Sequence, residues 1–252
     1  MGMHFKLGLY EHQSAGAIQG ILNLVTENPS LRGYGEDRAR FGVDKIAKIR
    51  ITAYEPAFGI IGNPEKRDPT TRQSADHSMC YIVSRVLAKA FRLPEDVSFD
   101  KPEDPWKKLM LLPYDYSKDA IYDPLTRAIM ELVVFEHGGE EYDKNYPDGI
   151  PTSLTIEARD TGSSMGSLGS PRKELESGFI MYPGGHARNT SVSLDDVLAH
   201  KFKELAALCV AEGDASAAQT LVDRFSSIDS LDADGLRKLH NFDIVARPFT
   251  DN

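Results

Sequence analysis

Cysteine, long apolar runs and excess positive charge are all scarce in this sequence. Cys80 and Cys209 are its two thiols. They are too few for a disulfide framework or a cysteine-built zinc site. They also fall short of the roughly three or four thiolates that an iron–sulfur cluster takes. No apolar run approaches the roughly 18 residues of a membrane span, so no membrane partner is expected. Lysine and arginine number 29 against 38 acidic residues, a formal net charge of -9. That balance argues against a nucleic-acid partner, which needs a basic surface. Several catalytic patterns are missing too. G-x-S-x-G, H-E-x-x-H, a P-loop and a G-x-G-x-x-G followed by a ribose-binding acid do not occur. Hydrolase triads, zinc proteases and dinucleotide enzymes therefore have no support in the residues. The opening Met1-Gly2-Met3-His4-Phe5-Lys6 carries no signal-peptide pattern.

What is present is an ordinary globular composition. Hydrophobic residues make up 41% and charged residues 27% of 252 positions, enough for one large domain or two modest ones. An anionic ligand of so acidic a chain must be held by a local cluster of cations.

The spacing predicts a helix over 12–25, with Ala17, Ile18, Ile21, Leu22 and Val25 as its stripe and Asn28-Pro29 as its stop. Residues 31–42 read as a polar connection. Residues 46–54 alternate as a half-buried strand. A second helix runs from Ser74 to about Arg92, its stripe formed by Met79, Ile82, Val83, Val86, Leu87 and Ala90. The proline-rich, acidic stretch 94–127 reads as irregular with a short helix. Residues 128–135 are an apolar run. His137-Gly138-Gly139 is expected to turn the chain into a strand ending near Tyr146, with Glu140-Glu141-Tyr142-Asp143 along its solvated edge. Further strands are expected at 154–158 and 179–182, around a Ser/Gly-rich segment at 162–169. The remainder reads as helical, with Ser193 and Asp196 spaced as a capping box. The order gives an α+β fold: a small antiparallel sheet with helices over about 1–184, then C-terminal helices over 185–252.

Three places collect chemistry. Lys6, Tyr10 and His12 surround a helix start. Lysine there can hold a carboxylate, and an imidazole titrating near about 6.5 suits proton transfer at neutral pH; the same residues also suit an ordinary N-terminal surface cluster. Arg72, His77 and Tyr81 form the second group. Four residues apart on one helix, His77 and Tyr81 are expected to share a face near an N-terminus that favours anions. The same residues also suit an ordinary loop–helix junction capped by Ser74. The third is Pro183-Gly184-Gly185-His186-Ala187-Arg188-Asn189. Its glycines permit close backbone approach, and His186 and Arg188 add charge to an anion-binding concavity. It suits a plain strand-to-helix turn equally well. His4, His200 and His240 read as surface or helix histidines.

Residues 5–17, 68–81, Asp123-Pro124 with Arg127, and 182–189 together resemble, in order, motifs of the MmgE/PrpD family, and within it the 2-methylcitrate dehydratases. The resemblance spans essentially the whole chain. It implies an α+β lid domain over 1–184, followed by helices belonging to a larger helical domain whose N-terminal part lies outside this sequence. It implies a cofactor-independent lyase dehydrating a small tricarboxylate, with cis-aconitate decarboxylase chemistry, or a non-catalytic tricarboxylate-binding lid, as alternatives. By resemblance Lys6, His12 and Tyr81 line the active site. Arg72, His77, Gly184, Gly185, His186 and Arg188 would position carboxylates. No metal is implied. The resemblance further suggests a homodimer, located in the mitochondrial matrix or the cytoplasm.

Overall fold

A computed structural model describes residues 3–32, 43–94, 96–159 and 174–245. The chain forms two compact units, residues 1–193 and 194–252. The expected Ser/Gly-rich segment and most of the 31–42 connection lie outside the described residues.

The first unit is α+β. Helix α1 (Ala15–Glu27) follows a 3-10 turn, His12–Ser14, and Asn28 closes it. Its buried stripe is the predicted one, extended by Leu24. Strand β1 (Ile46–Ala53) alternates as expected, with Ile49, Ile51 and Ala53 buried. Helix α2 (Arg72–Asp76) is short, and α3 (Met79–Phe91) is the most deeply buried helix. Helices α4 (Asp104–Leu109), α5 (Lys118–Ile121) and α6 (Pro124–Met130) then lead into strand β2 (Val133–His137). The stretch expected to be mostly irregular therefore holds three short helices, two of them capped by the side chains of Ser117 and Asp123. A one-turn helix α7 (Glu140–Asp143), strand β3 (Thr152–Ala158) and strand β4 (Glu174–Glu176) complete the unit.

The sheet order is β2-β1-β3-β4. β3 pairs antiparallel with β1 and with β4, but β1 and β2 run parallel. The expectation of a purely antiparallel sheet is thus corrected to a mixed one. The reason lies in the connection. β1 reaches β2 through α2 to α6, and a long helical crossover returns a strand in the same direction. α1 packs on β3 and α3. Gly16 permits this: a Cβ there would sit 2.5 Å from Thr152 Oγ1 and 2.9 Å from the Ile150 carbonyl oxygen.

Two local expectations also give way. Residues after Gly139 form α7, not a strand. Glu140, Glu141 and Asp143 lie in its first turn, where acids suit the positive end of a helix. Asp143 also accepts from the Glu55 amide at 2.8 Å and contacts His137 Nε2 at 3.1 Å. Residues 179–182 contribute a single bridge, Thr152 with Ile180.

Around α3, polar contacts are dense. Asp115 accepts from Arg85 Nε at 2.9 Å and Lys89 Nζ at 2.8 Å. Asp123 binds Arg92 at 2.6 Å and caps α6 through Thr126. Burial alone would raise the Asp123 carboxyl, but hydrogen bonds from Arg92 and Thr126 hold it below its ordinary range.

The second unit comprises α8 (Leu194–Ala206), α9 (Ala215–Ser226) and α10 (Ala233–Lys238). Ala206, Val210, Ala218 and Leu221 form its core. Phe225 packs edge-on against Phe202 and Phe242 and lies 5.4 Å from the His240 ring. Among the described residues no helix is long and apolar enough to cross a membrane.

Candidate functional site

The segment before α1 crosses several other elements. Phe5 N–H donates to the Gly185 carbonyl at 2.8 Å, and Ala187 N–H donates to Met3 at 2.9 Å. Leu9 N–H donates to Leu111, and Glu11 N–H to Asp76, at 2.9 and 3.0 Å. Tyr116 anchors the Leu9 carbonyl with its hydroxyl. These bonds bring the first and third sequence clusters together and place the end of α2 beside Glu11.

Three imidazoles meet at this junction. The His4 ring centroid lies 4.5 Å from that of His12 and 5.6 Å from that of His186, both edge-on. His4 and His186 form an isolated antiparallel bridge. Gly185 is required there, because a Cβ would stand 1.9 Å from the Phe5 carbonyl oxygen. Arg188 N–H donates to His186 Nδ1 at 3.1 Å, which leaves the His186 proton on Nε2.

All three imidazoles are held toward the uncharged form. Burial is the largest cause in each. His4 is held down to about 4, with further lowering from His12 and His186. His12 is lowered also by Lys6 and His186. His186 is lowered by Arg188 as well, with Asp148 acting against the shift. Glu11 goes the other way: burial pushes its carboxyl up, although Gln13, Ser14, Lys6 and His77 pull it down. Its Oε1 accepts from Gln13 N–H at 2.8 Å and so opens the turn that carries His12.

Lys6 is exposed and near enough to act electrostatically on both His12 and Glu11. Tyr10 turns inward, 4% exposed, and its hydroxyl accepts the Leu7 N–H at 2.9 Å. It shapes the loop and offers nothing to a ligand. Arg188 is exposed and paired with Asp148, and donates to Tyr182 Oη at 2.9 Å. The Tyr182 ring lies 4.7 Å from that of His186.

The second cluster does not converge on one face. The helix breaks at His77, and Ser78 caps a new one by accepting from Tyr81 N–H at 3.1 Å. The His77 side chain is 62% exposed and bonded to Asp76, while Tyr81 is fully buried. Tyr81 donates its hydroxyl to the Asp115 carbonyl at 2.5 Å, and burial pushes its pKa well above the usual phenol range. Arg72 is exposed at the first position of α2. Arg127 holds the preceding loop through Asp68 and the Pro69 carbonyl. His77, of this cluster, acts electrostatically on Glu11 beside His12.

Sequence reasoning missed His4, Glu11 and Tyr54. Tyr54 is fully buried, its hydroxyl meets no partner among the described residues, and its ring stacks on Tyr146 at 4.5 Å. Burial, Tyr146 and Glu11 all raise its pKa above the usual phenol range. Tyr54 ends the alternating segment 46–54, on the face shared with Lys48, Arg50 and Thr52, and no periodic pattern marks the other two. Gln19 was missed as well. It lines a cleft of about 370 Å³ with Asn23, Lys101, Pro105, Ser191 and Val192, next to the glycine turn. Among the described residues no group of three acidic, histidine or cysteine side chains could hold a metal ion.

The arrangement can accept a proton at neutral imidazole, offer Lys6 to a carboxylate, and keep water partly away. The sequence profile of the MmgE/PrpD C-terminal domain matches residues 10–227. The chain belongs to the MmgE/PrpD family. No individually curated protein matches it. The matched span contains His12, Arg72, His77, Tyr81 and the 184–188 turn, while His4 and Lys6 precede it. Family membership points to hydro-lyase chemistry as the general class of activity.

Proposed function

We propose that this MmgE/PrpD chain serves the dehydration of a 2-methylcitrate-like tricarboxylate, without metal. The observation that carries the reading is the junction of residues 4–12 with 184–188, which gathers Lys6, His12 and His186 from distant parts of the chain. Dehydration removes a proton from carbon beside a carboxylate and protonates the departing hydroxyl. A base for that step must be unprotonated at neutral pH, and burial with Lys6 and His186 keeps His12 so. Lys6 and His186 hold carboxylates near it. Glu11, next to His12 and pushed towards its protonated form, is suited to protonate the leaving hydroxyl. Tyr81 serves through packing rather than by contact with ligand, since its hydroxyl is bonded inside.

The experiment is the loss of 2-methylcitrate, followed as absorbance of the unsaturated acid, with the purified chain and no added metal. His12→Ala is expected to lower turnover by about 100-fold or more. Turnover indifferent to that change would sink the assignment.

A further inference from the structure

His4 has no part in the chemistry above, yet it is the centre of the three-ring group. Both its ring nitrogens are shut off from solvent and meet no hydrogen-bond partner among the described residues. What the ring does touch is other rings. It stands edge-on to His12 at 66° and to His186 at 74°. Its backbone is tied to the glycine turn by the bonds on either side of the His4–His186 bridge. A ring so placed acts by shape, since buried nitrogens without partners add no binding of their own.

We propose that His4 is a positioning residue for His12: an uncharged aromatic wedge that sets the His12 ring against the glycine turn and keeps water from it. The inference rests on the reading of His12 as the proton-transfer group. The surrounding charges are consistent with an uncharged wedge. His12 is faced by Lys6 and His186 and adjoins Glu11, and His186 is faced by Arg188 and Asp148. A charge on His4 would stand between two further imidazoles and lower them both. Burial is the largest cause of the lowered His12, and the His4 ring supplies part of that burial. Removing the ring lets water reach His12. Replacing it with another ring does not.

The test follows the His12 imidazole resonance against pH by nuclear magnetic resonance in the whole chain. His4→Ala is expected to raise the His12 midpoint by about half a pH unit or more. His4→Phe, which keeps a ring without nitrogens, is expected to leave the midpoint in place. His4→Gln serves where His4→Ala does not fold, with the same rise expected. An unmoved midpoint in the ring-free variants, or a rise in His4→Phe as large as theirs, overturns the proposal. The readout needs no turnover. His12→Ala that leaves turnover intact would therefore end the functional reading while the placement of His12 by His4 still stood.

Discussion

Gln19 Oε1 accepts the Gly184 N–H at 2.9 Å, joining α1 to the glycine turn. The same oxygen accepts the Trp106 indole N–H at 3.1 Å. One half-buried amide thus satisfies two donors and sets the position from which His186 projects. Gln19→Leu keeps the bulk and leaves both donors without this acceptor. Unpaired buried donors cost roughly 1–3 kcal/mol each, so a loss of about 2 kcal/mol is expected in urea unfolding. A midpoint matching the parent would show that Gly184 and Trp106 find other partners.

Acid stability carries a sign that follows from the imidazoles. His4 titrates near 6.5 when unfolded and at about 4 when folded. Above that window it contributes nothing. As pH falls through it, the unfolded chain binds the proton more readily, and the fold loses stability. His12 and His186 act in the same direction. Glu11, raised in the fold, offsets part of the loss. Asp123, held below 3.8, acts at lower pH. The His4 share is read as the difference between the parent and His4→Phe. Discounted for the solvent screening of a partly buried ring, the parent is expected to lose on the order of 2 kcal/mol more than the variant between about pH 7 and about pH 4. Parallel stability curves for the two would rule out a His4 ring held neutral by the fold.

Tyr81 gives a sharp contrast between packing and chemistry. Tyr81→Phe removes one buried hydrogen bond, to Asp115, and should cost about 1 kcal/mol of stability. Turnover of 2-methylcitrate is expected to fall less than about tenfold, well short of a general acid's contribution. A much larger fall with stability preserved would return Tyr81 to the reacting groups.

Periodicity carried much of the fold. Ile49, Ile51 and Ala53 marked β1, and the stripe from Ala17 to Val25 marked α1, because each buries one face against a single partner. The break at His77 was written locally too, in the Ser78 hydroxyl three residues before Tyr81, but the longer apolar stripe masked it. The direction of β2 was not legible. A short apolar run reads alike in either direction, and the crossover rather than the strand decides it. His186 stood out through its flanking glycines. His4 did not, since it lies in no repeating pattern and its value comes from His12 and His186, the latter near the other end of the unit.

The bridge between His4 and His186 closes nearly the whole first unit into one loop. Contacts so far apart in sequence form late, after the entropy of the intervening chain has been given up. The three imidazoles are therefore expected to come together among the last native contacts. Their ring resonances are a gauge of completed folding, and a ligand gripping them would favour the fully closed chain over every partly folded one.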